Sequence, residues 1–145
     1  NDQVQRTIEA GAMLIIGGKI PDSEGSYYPL TMLSGVAPGM PAFDEEIFGP
    51  VFTVISAEDD GHAIELANQT EFGLGSAIFT QNIEKGEKIA KTKIQSGACF
   101  VNDFVKSDPR LPFGGIKMSG YGRELSDYGM MEFVNIKTIV VKSTD

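Results

Sequence analysis

Asp44, Glu45 and Glu46 stand together in the stretch "FDEEIFGPVFTVI" (residues 43–55), just ahead of an aromatic ring at Phe48 and a Gly49-Pro50 pair. An ionised carboxylate is purely a hydrogen-bond acceptor, so it can receive the hydroxyls of a sugar diol, while a ring two residues on can lie against a flat ligand. Pro50 fixes its own φ and drives Gly49 out of the helical region, which holds acid and ring in one geometry before the apolar run "VFTVI". The same residues also read as a solvated acidic turn that leads into a strand. Spacing alone leaves both readings open.

Other reactive side chains have plainer readings. Cys99 lies in the apolar run "ACFV" with no histidine near in sequence, and a buried thiol is inert unless something lowers its pKa, so it reads as structural. His62 follows "EDDG" at the start of a helical pattern and reads as a solvated polar residue. The glycine-rich "GGIKMSGYGRE" follows no strand and meets neither dinucleotide nor P-loop spacing, which makes it a turn-rich connector.

Composition narrows the classes further. A chain of 145 residues with 41% hydrophobic content fits one folded unit. The net charge of -8, spread along the chain, argues against nucleic acid or an anionic membrane as partner. A single cysteine and a single histidine speak against an internal disulfide and a zinc site, and fit a reducing, cytosolic compartment. Nothing approaches the roughly 18 apolar residues of a membrane span. The chain starts without methionine, inside a helical pattern, as a piece of a longer protein would.

The elements that must position these residues follow from periodicity. A helix over residues 4–10 ends at Gly11, and a strand over 13–16 is closed by Gly17 and Gly18. The aromatic stretch "YYPLTMLSGV" is extended. From Val51 the order is strand "VFTVI", helix "AEDDGHAIELAN", strand "GSAIFT", helix "IEKGEKIAKTKI" with Asn82 as N-cap, and strand "GACFVN". Strand and helix alternating at this spacing predict an α/β fold, a parallel sheet with right-handed crossover helices, and continuous apolar runs predict cover on both faces. The long loop after Asn102 leaves the carboxyl end of a strand, where open parallel sheets bind ligands. A short helix "RELSDYGMMEF" and a strand "VNIKTIVVK" follow, the latter without a hairpin partner in sequence.

Four segments in one order, "EEIFGPV", "ANQTEFGLGSAIFT", "SGACFVN" and "LPFGGIKMSGYGRE", resemble the C-terminal part of an aldehyde dehydrogenase. The resemblance spans essentially the whole chain. It implies that residues 1–133 are the later half of an α/β catalytic domain and that residues 134–145 are a C-terminal oligomerisation strand. By the same resemblance Glu46 binds the nicotinamide ribose and Phe48 supports the nicotinamide of NAD or NADP, while Asp44 and Glu45 remain solvated. The loop "FVNDFVKSDPRLPFGG" is most similar to bacterial succinate-semialdehyde dehydrogenases. There Ser107 falls on the residue that bonds the substrate's distal carboxylate, and Phe104 on the wall of the aldehyde channel, with loop packing as the other reading of both.

A hydroxyl is a modest anion ligand, so Ser107 needs a cation nearby, and charge alone offers Lys106 and Arg110. The family's chemistry uses a cysteine thiolate that adds to the aldehyde, a hydride passed to the nicotinamide and a glutamate that activates water. Its nucleophile follows a Gly-Gln pair that this chain lacks, and neither the base nor the Rossmann glycines are present. The resemblance therefore implies no catalytic residue here, a part of an oligomeric NAD(P)-dependent enzyme of aldehydes, and no turnover by this piece alone. A binding or assembly module that keeps the sheet and terminal strand without catalysis is the alternative.

Overall fold

The computed structural model describes residues 1–143, which form two compact units, one over Asn1–Thr70 and the other from Glu71 onward. The first unit opens with α1 (Asp2–Glu9), whose Val4 and Thr7 are fully buried. An Asp2–Arg6 pair at 2.7 Å supports it at i,i+4 spacing, and Gly11, at φ +109°, turns the chain out of the helix.

Strand β1 (Met13–Ile16) runs antiparallel to β2 (Thr31–Ser34), with an irregularity between Leu14 and Ile16. Next come the single-turn α2 (Pro41–Asp44) and β3 (Val51–Val54), which pairs in parallel with β2 from Thr31↔Val51 to Ser34↔Val54. Helix α3 (Asp60–Gln69) closes the unit. The core is Val4, Ala12, Leu33 and Val36, and Met40, Ala42 and Phe43 pack against it. The approach to the acidic stretch is thus rooted in the most buried part of the unit.

In the second unit, β4 (Phe72–Gly73) pairs antiparallel with β7 (Ile116–Lys117). Strand β5 (Gly75–Ile78) pairs in parallel with β6 (Ala98–Val101) through the crossover helix α4 (Ile83–Thr92). Asn82 caps α4 as expected, its Oδ1 accepting from the Lys85 amide at 3.0 Å. Helix α5 (Ser126–Met131) starts later than its sequence pattern suggests, because Glu124 is taken by a β-bridge to Phe113.

Two expectations change. The strands read as one run of parallel neighbours divide their pairing: β3 is laddered to β2, and β5 to β6. Cover on both faces is also absent among the described residues, for β1 is exposed along its length and Met32, Phe52 and Val54 stay open to solvent. Residues 134–143 form no helix or ladder, and their apolar side chains, Val141 at 88% exposure among them, are solvent-facing. The expected terminal strand thus pairs with none of the described residues, and its last two positions, 144 and 145, lie outside them.

Candidate functional site

The acidic stretch is held from below by one face of α1. Thr7 Oγ1 donates to the Gln3 carbonyl at 2.7 Å and accepts from the Ala42 amide at 3.0 Å, which ties α1 to α2 through a fully buried hydroxyl. Gln3 Nε2 donates to Glu45 Oε2 at 2.8 Å and to the Glu46 carbonyl at 3.1 Å. Arg6 forks onto both oxygens of Glu45 at 2.9 and 3.0 Å. Its hydrogen bonds, followed by that from Gln3, hold the Glu45 carboxyl below the usual glutamate range.

Glu45, expected to remain solvated, stays exposed and is also the ion-paired anchor of the stretch. The reason is a partner 39 residues away, which spacing within "DEEIFGP" does not reveal.

Beyond the anchor, two tight turns follow in succession. The Gly49 amide donates to the Ile47 carbonyl at 2.9 Å, and the Val51 amide to the Gly49 carbonyl at 2.8 Å, so Phe48 and Pro50 are each the central residue of a three-residue turn. Pro50 suits such a position because its ring already fixes φ near the required value. Thr31 then donates to the Pro50 carbonyl at 2.9 Å and locks the turn to β2. At the tip the Phe48 ring is 93% exposed, and the Glu46 carboxylate, also exposed, has no hydrogen-bond partner among the described residues. An unengaged acceptor and a bare ring on a pinned backbone fit the diol and flat ring of a nicotinamide riboside.

In the second unit, the loop after β6 leaves from a fixed point. Asn102, at φ +55°, accepts from the Thr80 amide at 2.8 Å and donates to the Thr80 carbonyl at 2.9 Å, closing the carboxyl ends of β5 and β6. The Phe104 ring tilts against Phe79 with centroids 5.6 Å apart, yet remains 76% exposed. Ser107 is exposed, and its hydroxyl has no partner among the described residues.

Both local cations proposed for Ser107 are engaged by carboxylates. Lys106 pairs with Asp103 at 2.6 Å and Arg110 with Asp108 at 2.6 Å, and each pair, chiefly by its side-chain hydrogen bond, holds the acid below its usual range. Charge alone could not foresee this. An Asp two or three residues from each base is the signal that was available.

His62 and Cys99 are both half-buried. Asp59 caps α3 by accepting from the His62 amide at 2.8 Å, His62 Nδ1 accepts from the Glu58 amide, and Cys99 is the register partner of Ser76 in the β5–β6 ladder.

The glycine-rich segment carries more than a connector does. A methyl group at Gly97 would fall on the Gly114 carbonyl, so the segment docks backbone to backbone against the start of β6. Arg123 Nη1 donates to the Gly115 and Gly122 carbonyls and fixes the loop around a hollow of about 510 Å³ walled by Leu74, Phe113 and Tyr121. A second hollow of about 550 Å³ lies between Pro109, Leu125, Met130 and Phe133. Neither is lined by Glu46, Phe48, Phe104 or Ser107.

Comparison with known proteins decides the family, for residues 1–139 match the aldehyde dehydrogenase family. The chain belongs to the aldehyde dehydrogenase family. It is 47% identical over 137 residues to a succinate semialdehyde dehydrogenase of Escherichia coli described as NAD(P)+-dependent, covering 94% of this chain and 29% of that one. A Mycobacterium leprae succinate-semialdehyde dehydrogenase (NADP+) is likewise 47% identical, with 94% of this chain and 30% of the relative covered.

Among solved structures, a succinic semialdehyde dehydrogenase of Streptococcus pyogenes in complex with NADP+ superposes with a TM-score of 0.91 at 41% identity, over 98% of this chain and 31% of that one. Betaine aldehyde dehydrogenase of Staphylococcus aureus in complex with NAD+ follows at a TM-score of 0.84 and 34% identity, over 91% and 28%. The expected α/β class therefore stands, as this family's partial domain. The chain spans under a third of the length of these relatives. Among the described residues, no helix is long and apolar enough to cross a membrane.

Proposed function

We propose that this chain supplies the nicotinamide-ribose contact and part of the substrate loop of an NAD(P)-dependent dehydrogenase that oxidises succinate semialdehyde to the acid. The observation that carries this reading is the exposed Glu46 carboxylate, without a hydrogen-bond partner among the described residues and two residues from the bare Phe48 ring on a backbone pinned on both sides. A bound NAD(P) accepts the hydride in such a reaction. Glu46 would receive the ribose hydroxyls, and Phe48 would stop the nicotinamide from rotating away from the substrate.

On the substrate side, the Ser107 hydroxyl, exposed and without a partner among the described residues, suits a carboxylate oxygen, and Phe104, braced by Phe79, suits the wall of a narrow apolar channel. With Lys106 and Arg110 already paired, the countercharge for a distal carboxylate belongs outside this loop. The cysteine and the glutamate base likewise belong outside this chain, so the piece alone carries no turnover.

The open apolar face of β1–β3 fits cover by further parts of a longer, cytosolic protein, and residues 134–145 fit a strand added to a neighbouring subunit of a homo-oligomer. An aldehyde panel assayed with the full-length protein tests the substrate assignment. Succinate semialdehyde is expected to exceed uncharged aldehydes of similar length in kcat/KM, and equal values would refute it.

A further inference from the structure

The contact between α1 and the acidic stretch has a second side, away from the ligand-facing tip. Gln3, Arg6 and Thr7 lie at i, i+3 and i+4 on one face of α1 and all bond the stretch between Ala42 and Glu46, with Gln3 and Arg6 sharing Glu45 Oε2. Their targets are the α2 backbone at Ala42, both carboxylate oxygens of Glu45 and the carbonyl of Glu46 itself. Arg6 is in turn steadied from its own helix by Asp2 at 2.7 Å. The planar guanidinium fork fixes direction as well as distance, which a single ammonium contact does not.

We propose that Arg6 and Gln3 are positioning residues for the nicotinamide ribose, which, through Glu45 and the Glu46 carbonyl, fix the direction in which the Glu46 carboxylate leaves the chain. This rests on the reading of Glu46 as the ribose ligand. Arg6 touches neither cofactor nor substrate in this scheme. Its effect is to remove freedom from the residue that does, since a carboxylate on a loosened stretch must be ordered by the ligand at the expense of affinity. Glu45, adjacent to the ligand residue in sequence, thereby serves as its tether.

The test uses the full-length protein and three variants, Arg6→Gln, Glu46→Gln and the double substitution. NADH and NADPH are the titrants, binding is read by nucleotide fluorescence, and thermal unfolding is recorded in parallel. Arg6→Gln is expected to raise the cofactor Kd about three- to fivefold, the range for loss of a well-formed exposed ion pair. In the Glu46→Gln background the same change is expected to alter Kd by less than about twofold, because the side chain being positioned has lost its function.

Fold losses that simply multiply in the double variant would overturn the proposal, and so would an unchanged Kd for Arg6→Gln where Glu46→Gln weakens binding. If Glu46→Gln itself leaves Kd unchanged, the ribose reading fails and the proposal falls with it. Arg6→Lys, which keeps the charge and loses the fork, is read the same way should Arg6→Gln not fold. An intermediate Kd supports the proposal, and a Kd equal to that of the parent protein refutes the need for the fork.

Discussion

Asn102 and Thr80 form a closed pair in which one side-chain amide satisfies both the N–H and the C=O of a residue on the neighbouring chain segment. Because Asn102 also adopts a left-handed conformation, two properties are combined in one residue that few others share. Asn102→Gly keeps the conformation and loses the bonds, whereas Asn102→Ala loses both. Thermal unfolding of the full-length protein should rank the parent above Asn102→Gly and that above Asn102→Ala, with losses of about 1 and 2 kcal/mol respectively. An alanine variant as stable as the glycine one would show that the backbone conformation carries no cost here.

Thr7 makes a separate point about buried hydroxyls. Thr7→Val keeps the shape and leaves the Ala42 amide without its acceptor, at a cost of about 1–3 kcal/mol, measurable as a lower midpoint in urea or heat. Thr7→Ser keeps the acceptor and should lose less. A Thr7→Val variant as stable as the parent would show that the Ala42 amide does not depend on that acceptor.

Ser107 should discriminate between substrates and leave the chemistry untouched. Ser107→Ala in the full-length protein is expected to raise KM for succinate semialdehyde about 10- to 150-fold, the value of one hydrogen bond to a charged group. An uncharged aldehyde of the same length should keep its KM. A parallel rise for both would make Ser107 a packing residue of the loop.

The pH dependence of the α1 anchor has a definite sign. The folded-state pKa of Glu45 is depressed by Arg6 and then Gln3, so its stabilisation is complete above the ordinary glutamate range and is lost as pH falls through the folded value. The difference in melting temperature between the parent and Glu45→Gln should therefore be present at pH 7 and shrink steadily below about pH 4, near the ordinary glutamate pKa. A difference that grows on acidification would contradict the assignment.

If the tail is an intermolecular strand, deleting residues Asn135 to Lys142 from the full-length protein should lower its mass in light scattering to that of a smaller assembly. Its run of exposed Ile136, Ile139, Val140 and Val141 is what such pairing would cover. An unchanged mass would leave those side chains without that role.

Local structure was legible where a single residue type dictates it. Asn82 announced the start of α4, Gly11 the end of α1, and the apolar runs around Leu14, Phe52, Ala77 and Phe100 the strands. Helix α4 between β5 and β6 also gave their parallel pairing, since a crossover of that length permits little else. Which strand β3 chooses was not legible, because β2 carries the same apolar character as β5; in the fold β3 ladders to β2, and its Val51 packs against the core cluster that contains Leu33.

The same limit applies at the candidate site. Glu46 and Phe48 were singled out from a contiguous motif, while the role of Glu45 depends on Arg6, and that of Lys106 and Arg110 on acids the loop folds onto them. The face of α1 made by Gln3, Arg6 and Thr7 was not legible as part of the site, because its partners lie 35 to 43 residues away.

The most direct measurement is a crystal structure of the full-length protein with NADP+ or NAD+ bound. The Glu46 carboxylate is expected within about 2.6–3.2 Å of the nicotinamide ribose hydroxyls, with the Phe48 ring against the nicotinamide. Ribose hydroxyls bonded elsewhere, with Glu46 and Phe48 turned away from the nucleotide, would contradict it.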